Sequence, residues 1–531
     1  IVSSSGAQTI SGAINGLYGL TITASDNLTL SGTIGATAPP TSLSVTTTGT
    51  GVLALNANVS TSGTQSYTAA GNITINADRT LTGSTITTNS ALSGAYALTI
   101  TGNAVFGDGT GTDTVTLSGT GKNLSVSGTT TLKANISTSG TQTYTGAVTL
   151  ATADRTLTGT TITNSSTITG ATFSLAITGN SVIDGAISGV NIFSVSGTTN
   201  ISANSISTTG TQTYSGAVTL SNSGTLTLTT TDDNISLYSI AGSGKNLTLN
   251  PGLGTISVTA TVGSSGSGLG LLVVTNSGGT TFGGAFEADA VVLTNTTGTI
   301  TFTGATTITS AIGLRTAAQA YNVAFNSSGT NTIQGITTFL NTGTLTFANN
   351  GTSNFAAGLT ATAPSSVSIY GTVQTTNTTL LISPNITLTG NSTISGNTLG
   401  NITLSGTIDG AYTLDINTTG TTTLSGAIGG TTALTSLTTN TGGTTAINGG
   451  SVRTTGAQTY NDNVTLGANT TLTTTSNGNI SFGGTIDGSA KNLTLDTGLT
   501  SGTISVTGAV GSTAALGTIT ISKSAGTTFS S

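Results

Sequence analysis

The sequence predicts an all-β fold, a right-handed parallel β-helix, on three observations. Short runs alternate apolar and polar residues with a period of two. Turn residues punctuate those runs every several positions. Degenerate repeats recur at unequal intervals, which a stack of coils tolerates because each coil packs only on its neighbours.

The alternation is clear in Asn72-Ile73-Thr74-Ile75-Asn76, Asn123-Leu124-Ser125-Val126-Ser127, Gly224-Thr225-Leu226-Thr227-Leu228-Thr229 and Asn401-Ile402-Thr403-Leu404-Ser405. A period of two sends Leu, Ile and Val to one face and Thr or Ser to the other. Gly, Asn and Ser-Gly separate the runs. No helical period extends beyond two turns. The five prolines, at 39, 40, 251, 364 and 384, leave most of the chain free to pair. The longest apolar run, Leu269-Gly270-Leu271-Leu272-Val273-Val274, suits a buried strand and is far shorter than the roughly 20 residues of a membrane helix.

The repeats share one motif. It reads Ser-Gly-Ala-Gln-Thr at 5–9, Thr-Ser-Gly-Thr-Gln-Ser-Tyr at 61–67 and Thr-Ser-Gly-Thr-Gln-Thr-Tyr at 138–144. It returns as Thr-Thr-Gly-Thr-Gln-Thr-Tyr at 208–214 and Thr-Thr-Gly-Ala-Gln-Thr-Tyr at 454–460, with a worn copy at Ala317–Tyr321. The repeat positions are therefore Gln8, Gln65 with Tyr67, Gln142 with Tyr144, Gln212 with Tyr214, and Gln458 with Tyr460. A glutamine amide offers two donors and an acceptor. The tyrosine two residues on shares its strand face. The pair is expected to hold a coil corner, with Gln bonding backbone and the ring covering the turn. A second reading makes the tyrosines an outward aromatic track for glycans.

Longer similarity sets the domain organisation. Residues 136–185 restate 59–108, including Ala-Asp-Arg-Thr-Leu-Thr-Gly at 77–83 and 153–159. Gly244–Leu249 matches Ala490–Leu495, Gly254–Thr259 matches Gly502–Thr507, and Gly279–Phe282 matches Gly526–Phe529. The expectation is a solenoid over 1–205 with repeats starting near 3, 59 and 136. A long unit follows over 206–451, and 452–531 is a partial copy of it, as in a piece of a longer array. The stretch 282–355 holds Phe282, Phe286, Phe302, Phe325, Phe339, Phe347 and Phe355, with Glu287. It reads either as stacked core or as a bulkier segment marking a binding surface.

Tandem β-sandwich repeats are the alternative fold. They would keep near-constant lengths and usually carry Trp in their cores; this chain has no Trp and 4% aromatic residues. Roughly 20–25 residues per coil, at about 4.8 Å per coil, would give a rod on the order of 100–130 Å.

Composition narrows the function. The 531 residues include 76 Gly, while only 5% are charged, against about 25% in a typical soluble protein. Cys and His are absent, which removes thiolate chemistry, disulfides, the commonest general base and the commonest metal ligand. The net charge of −6 is spread thinly and no basic run exists, so nucleic acid is not an expected partner. The candidate chemistry is sparse. Asp232 and Asp233 are adjacent, so on a strand they would face opposite ways, and a turn is the expected reading. Asp108-Gly-Thr-Gly-Thr-Asp113 resembles a calcium-binding turn but stands alone. Lys122, Lys245 and Lys491 recur at one repeat position without a phosphate-loop sequence and read as corner residues. Sequons such as Asn27, Asn72, Asn246 and Asn463 are frequent, as a Ser/Thr-rich chain allows. The expectation is no enzyme: no catalytic residues, no cofactor and no metal.

The Thr-Gly-[Thr/Ala]-Gln-Thr-Tyr motif, its following Val-Thr-Leu strands and the Gly-Lys-Asn-Leu-Thr-Leu segments resemble the repeat regions of large filamentous-haemagglutinin-like proteins. The resemblance covers most of the chain, although the family's N-terminal secretion domain is not recognisable in it. It implies a two-partner-secreted, right-handed β-helical fibre used in adhesion, placed outside the cell or on a bacterial surface. No residue roles carry over from the family. The expected function is a structural or adhesive fibre shaft, with a host or environmental surface, glycans among its chemistries, as the expected partner; the alternative is a self-associating surface-layer, sheath or filament subunit.

Overall fold

The computed structural model describes residues 2–110, 113–498 and 500–530; every regular element among them is a strand, and no helix occurs. The pairings are parallel throughout, down to the isolated bridges. The architecture is a parallel β-solenoid of about 25 turns, consistent with the parallel β-helix expected from the sequence. Sandwich repeats pair their strands antiparallel, so the parallel ladders remove that alternative.

The chain divides into two compact units, 1–255 and 256–531. In the first, one interior column runs Leu28, Leu53, Ile73, Leu92, Val115, Ile136, Leu157, Ile177 and Val195, each in register with the next. All are buried. The period-two runs supply this column directly. In Ile73–Ile75 the two isoleucines point in and Thr74 is half-buried, and Leu124–Val126 does the same around Ser125. Coil stacking hands each strand's backbone groups to the coils on either side, so the polar backbone is satisfied without closing a domain.

In the second unit the equivalent column is aromatic. Phe282, Phe302, Phe325 and Phe347 are in register, followed by Ile369 and Leu388. Successive rings stack at 5.3, 5.2 and 5.7 Å between centroids. Phe286, Phe339 and Phe355 meet this stack edge-on. All seven are buried. The seven phenylalanines are therefore core, as the stacked-core reading has it, and they themselves form no outward surface.

Candidate functional site

The repeat motif builds a buried lock between successive coils. In Thr138-Ser-Gly-Thr-Gln142-Thr-Tyr144, the Tyr144 hydroxyl donates to Gln142 Oε1 at 2.8 Å. Gln142 Nε2 donates to the Thr158 carbonyl of the following coil at 2.8 Å. It also lies 3.3 Å from the Ile136 carbonyl and 3.4 Å from Thr138 Oγ1. Thr138 in turn donates to the Gly140 carbonyl at 3.0 Å. One relay thus joins the strand before the turn, the turn itself, the strand after it and the next coil.

The same relay recurs in the other full copies. Gln65 reaches Thr82 O, Gln212 reaches Thr229 O and Gln458 reaches Thr473 O, at 2.7, 2.8 and 2.9 Å. Tyr67, Tyr214 and Tyr460 donate to those glutamines. Thr61, Thr208 and Thr454 bond the turn carbonyls of Gly63, Gly210 and Gly456. All four glutamines are fully buried. Each sits in register between apolar residues, as Gln142 does between Leu124 and Ile162. An unpaired amide there would be costly, which is why both ends of the group are bonded.

Two expectations need correction. The rings do not cover a corner from outside: Tyr67, Tyr144, Tyr214 and Tyr460 lie in the interior. For the same reason they form no outward aromatic track for glycans. Burial pushes each phenol's pKa well above its ordinary value. Gln8 is half-buried and has Ile10 where the others have tyrosine. The worn copy also departs. Gln319 exchanges hydrogen bonds with Asn295, and the Tyr321 hydroxyl donates to Leu293 O at 3.3 Å instead of to the glutamine.

A second device, on the corners, was not read from the sequence as a coil-to-coil bond. Asn and Asp side chains accept from backbone N–H groups of the next coil. Asn123 Oδ1 accepts from Thr141, 18 residues on, and Asn27 from Val52, 25 residues on. Asn58, Asn135, Asn180, Asn385, Asn401 and Asn463 do likewise. The unequal reach is the coil length itself varying. The signal present in the sequence was Asn-[Ile/Leu/Val]-[Thr/Ser]: a corner acceptor, an inward apolar residue and an outward hydroxyl. Many of the sequons are this pattern. The turn must be close for the bond to form, and a Cβ on Gly140 would lie 2.2 Å from Asn123 Oδ1.

No protein-family model, curated protein or solved structure matches the chain. Its chemistry is therefore read from its own geometry.

The repeated Asp-Arg dipeptide works in both directions. Asp154 accepts from Ser174 N on the next coil at 2.8 Å, and Arg155 Nε donates back to Leu132 O at 3.2 Å. Asp78 and Arg79 repeat this with Ala97 N and Leu55 O. The Ala97 N–H, with Lys122 3.1 Å away, holds the Asp78 carboxyl below its usual range.

The remaining candidates are turns. Asp232 has φ of 60° and accepts from Leu253 N at 2.8 Å, while Asp233 accepts through its backbone carbonyl from Thr230. Asp108 accepts from both the backbone N–H and the hydroxyl of Thr110, and Asp113 from Asp108 N; Gly111 and Thr112 of that motif lie outside the described residues. Lys122, Lys245 and Lys491 each donate a backbone N–H to the glycine three residues earlier, closing a tight corner. No helix among the described residues is long and apolar enough to cross a membrane.

Proposed function

We propose that the chain is a shaft segment of an extracellular fibre, a structural or adhesive element without catalytic activity of its own. The observation that carries this reading is the repetition of buried coil-to-coil locks in both units. A solenoid whose coils were joined only by its β-ladders would already satisfy its backbone. Buried Gln–Tyr relays, corner Asn acceptors and Asp-Arg pairs add cohesion along the stacking direction, where a fibre under tension needs it. The likeness of the motif to filamentous-haemagglutinin-like repeats supports the same reading and suggests a bacterial surface.

Immunogold labelling of the native cell tests it. Label on filaments outside the envelope is the expected result, with reduced attachment to surfaces when the gene is deleted. Label confined to the cell interior would overturn the proposal. A two-dimensional array at the surface would instead favour the lattice-subunit reading.

A further inference from the structure

A turn recurs apart from the Gln–Tyr motif, and one copy of it is held unlike the others. Thr33-Ile34-Gly35, Thr261-Val262-Gly263, Ala427-Ile428-Gly429 and Ala509-Val510-Gly511 each put a glycine after an apolar residue that bridges to a neighbouring coil. The glycines have φ of 73°, 74°, 68° and 69°, a region that an L side chain enters only with strain. A partly exposed loop follows in each copy. In three copies, an Asn or Asp one coil earlier takes two successive N–H groups of that loop on one oxygen. Asn15 Oδ1 accepts from Thr37 and Ala38 at 3.0 and 3.3 Å, Asp409 Oδ1 from Thr431 and Thr432 at 2.8 and 3.0 Å, and Asp487 Oδ1 from Thr513 and Ala514 at 2.8 and 2.9 Å. Successive N–H groups converging on one acceptor fix the backbone between them.

The fourth loop, Gly263-Ser264-Ser265-Gly266-Ser267-Gly268, departs from this plan. The long repeat sets Ala241 at the position of Asp487, so the acceptor is missing there. The loop is held instead from the following coil, by the chain's one glutamate. Both oxygens of Glu287 accept from a single N–H, that of Gly266, at 3.0 and 3.1 Å. Gly263 and Gly268 lie against the same residue: a Cβ on Gly263 would meet the Glu287 carbonyl at 2.5 Å, and one on Gly268 would meet Glu287 Cγ at 2.9 Å. Within the loop, Ser267 N donates to the Ser264 carbonyl at 2.7 Å, so the tip is a unit of its own. Ser264 and Ser265 are exposed, and with Ala285, Phe286 and Ala305 they line a hollow of about 220 Å³. Composition separates this loop from its counterparts too. The loop after Gly35 runs into Pro39 and Pro40, whereas 263–268 is glycine and serine alone, which regain the most freedom when a contact is released.

We propose that residues 263–268 form a strap that opens and closes beside this hollow while the coils stay stacked, with Glu287 as its latch. Closed, the carboxylate holds Gly266 and the three glycines fold around its stem. Open, the strap leaves the hollow and the carboxylate to solvent. A loop fixed by two N–H groups from the coil before it has no such freedom; one fixed by a single N–H at its crest does. The device goes beyond the shaft reading, which needs no moving part.

Residue-resolved hydrogen exchange on the full chain at pH 7 tests it. In the wild type the Gly266 amide is expected to be protected at least about tenfold less than those of Thr37, Thr431 and Thr513, because local opening draws on the least-held segments. Glu287→Ala should remove what protection Gly266 has, while the amides of Phe286 and Ile308 in the stacked coils keep theirs. Glu287→Gln, which retains one acceptor oxygen, should fall between wild type and Glu287→Ala. Asp487→Ala makes the converse change in the partial copy, and should bring Thr513 and Ala514 down to the protection of Gly266. Equal protection of Gly266 and Thr431 in the wild type would overturn the proposal, as would a Gly266 amide indifferent to Glu287→Ala. Loss of protection at Phe286 and Ile308 together with Gly266 would also overturn it, since the coils and not the strap would then be opening.

Discussion

The Tyr144 hydroxyl donates to Gln142 Oε1 at 2.8 Å, inside the solenoid, while the same amide's nitrogen holds the Thr158 carbonyl of the next coil. The two side chains therefore act as one group. Gln142→Leu leaves the tyrosine hydroxyl buried and unpaired. Tyr144→Phe leaves Gln142 Oε1 in the same position. Each single change is expected to cost about 1–3 kcal/mol. The double change Gln142→Leu/Tyr144→Phe removes both ends of that bond and should cost less than the sum. Hydrogen exchange should show lost protection over 136–164 and little change in distant coils, because coupling runs between neighbours. Additive losses in the double-mutant cycle would mean that the two residues are independent.

The corner before each recurrent lysine gives a second prediction. Gly121 and Gly244 have φ of 67° and 64°, and Ala490 holds the same repeat position at 62°. An L-residue with a Cβ is strained in that region, by roughly 1–2 kcal/mol. Ala490→Gly is therefore expected to stabilise the chain by about 0.5–1 kcal/mol, the gain being reduced by the extra freedom of glycine when unfolded. The reverse change, Gly244→Ala, should destabilise. Urea unfolding of the two variants decides the sign, and a lower midpoint for Ala490→Gly would contradict the strain.

Much of this fold was legible because inward and outward residues alternate along single strands such as Ile73–Ile75, and that pattern is local. The relay was half legible. Gln142 and Tyr144 stood out as repeated residues of the wrong polarity for chance. Whether they faced in or out depended on register, and Leu124 and Ile162, the neighbours that bury Gln142, lie on other coils. The Phe282–Phe302–Phe325–Phe347 stack was legible as one of two readings, and which phenylalanines share a column was not, because stacking is a relation between coils whose lengths differ. The corner bonds of Asn123 and Asn27 were missed because asparagine between strands already has a sufficient local explanation in turn preference.

Asp462 yields a prediction about acid. It is buried, with Oδ1 accepting from Gly443 N at 2.8 Å and Oδ2 from the Thr445 hydroxyl at 3.1 Å. Burial raises its pKa, and those two donors lower it only in part. A carboxyl whose folded pKa is raised stabilises the fold fully below its unfolded value of 3.8, and the contribution is lost as pH rises through the folded pKa. Between pH 3.8 and the folded value, stability referenced to Asp462→Asn should therefore fall with rising pH. Asp78 and Asp487, whose pKa values are lowered, act in the opposite sense: what they contribute is present above 3.8 and is lost as pH falls through their folded values. Melts of wild type and Asp462→Asn across that range measure the difference. Parallel curves would show that Asp462 does not titrate on unfolding.

The buried tyrosines predict sensitivity to alkali. Tyr67, Tyr144, Tyr214 and Tyr460 are held protonated by burial far above the ordinary value of 10, and Tyr321 is pushed up to about 12. A raised folded pKa means that the stability is whole below pH 10 and drains away as pH climbs toward the folded value. In the unfolded chain each phenol ionises near 10, so each further pH unit costs the folded state about 1.4 kcal/mol per buried tyrosine. Because the tyrosines sit at separated coils, their losses accumulate on one solenoid rather than at one point. The chain is expected to unfold steeply between pH 10 and 12, with tyrosinate absorbance appearing together with the loss of β circular dichroism. The double change Gln142→Leu/Tyr144→Phe removes one ionisable phenol and should flatten that slope by one tyrosine's share, even though it lowers stability at pH 7. Tyrosinate absorbance developing fully while the β signal persists would show that the phenols reach solvent without unfolding, and would contradict their place in the locked interior.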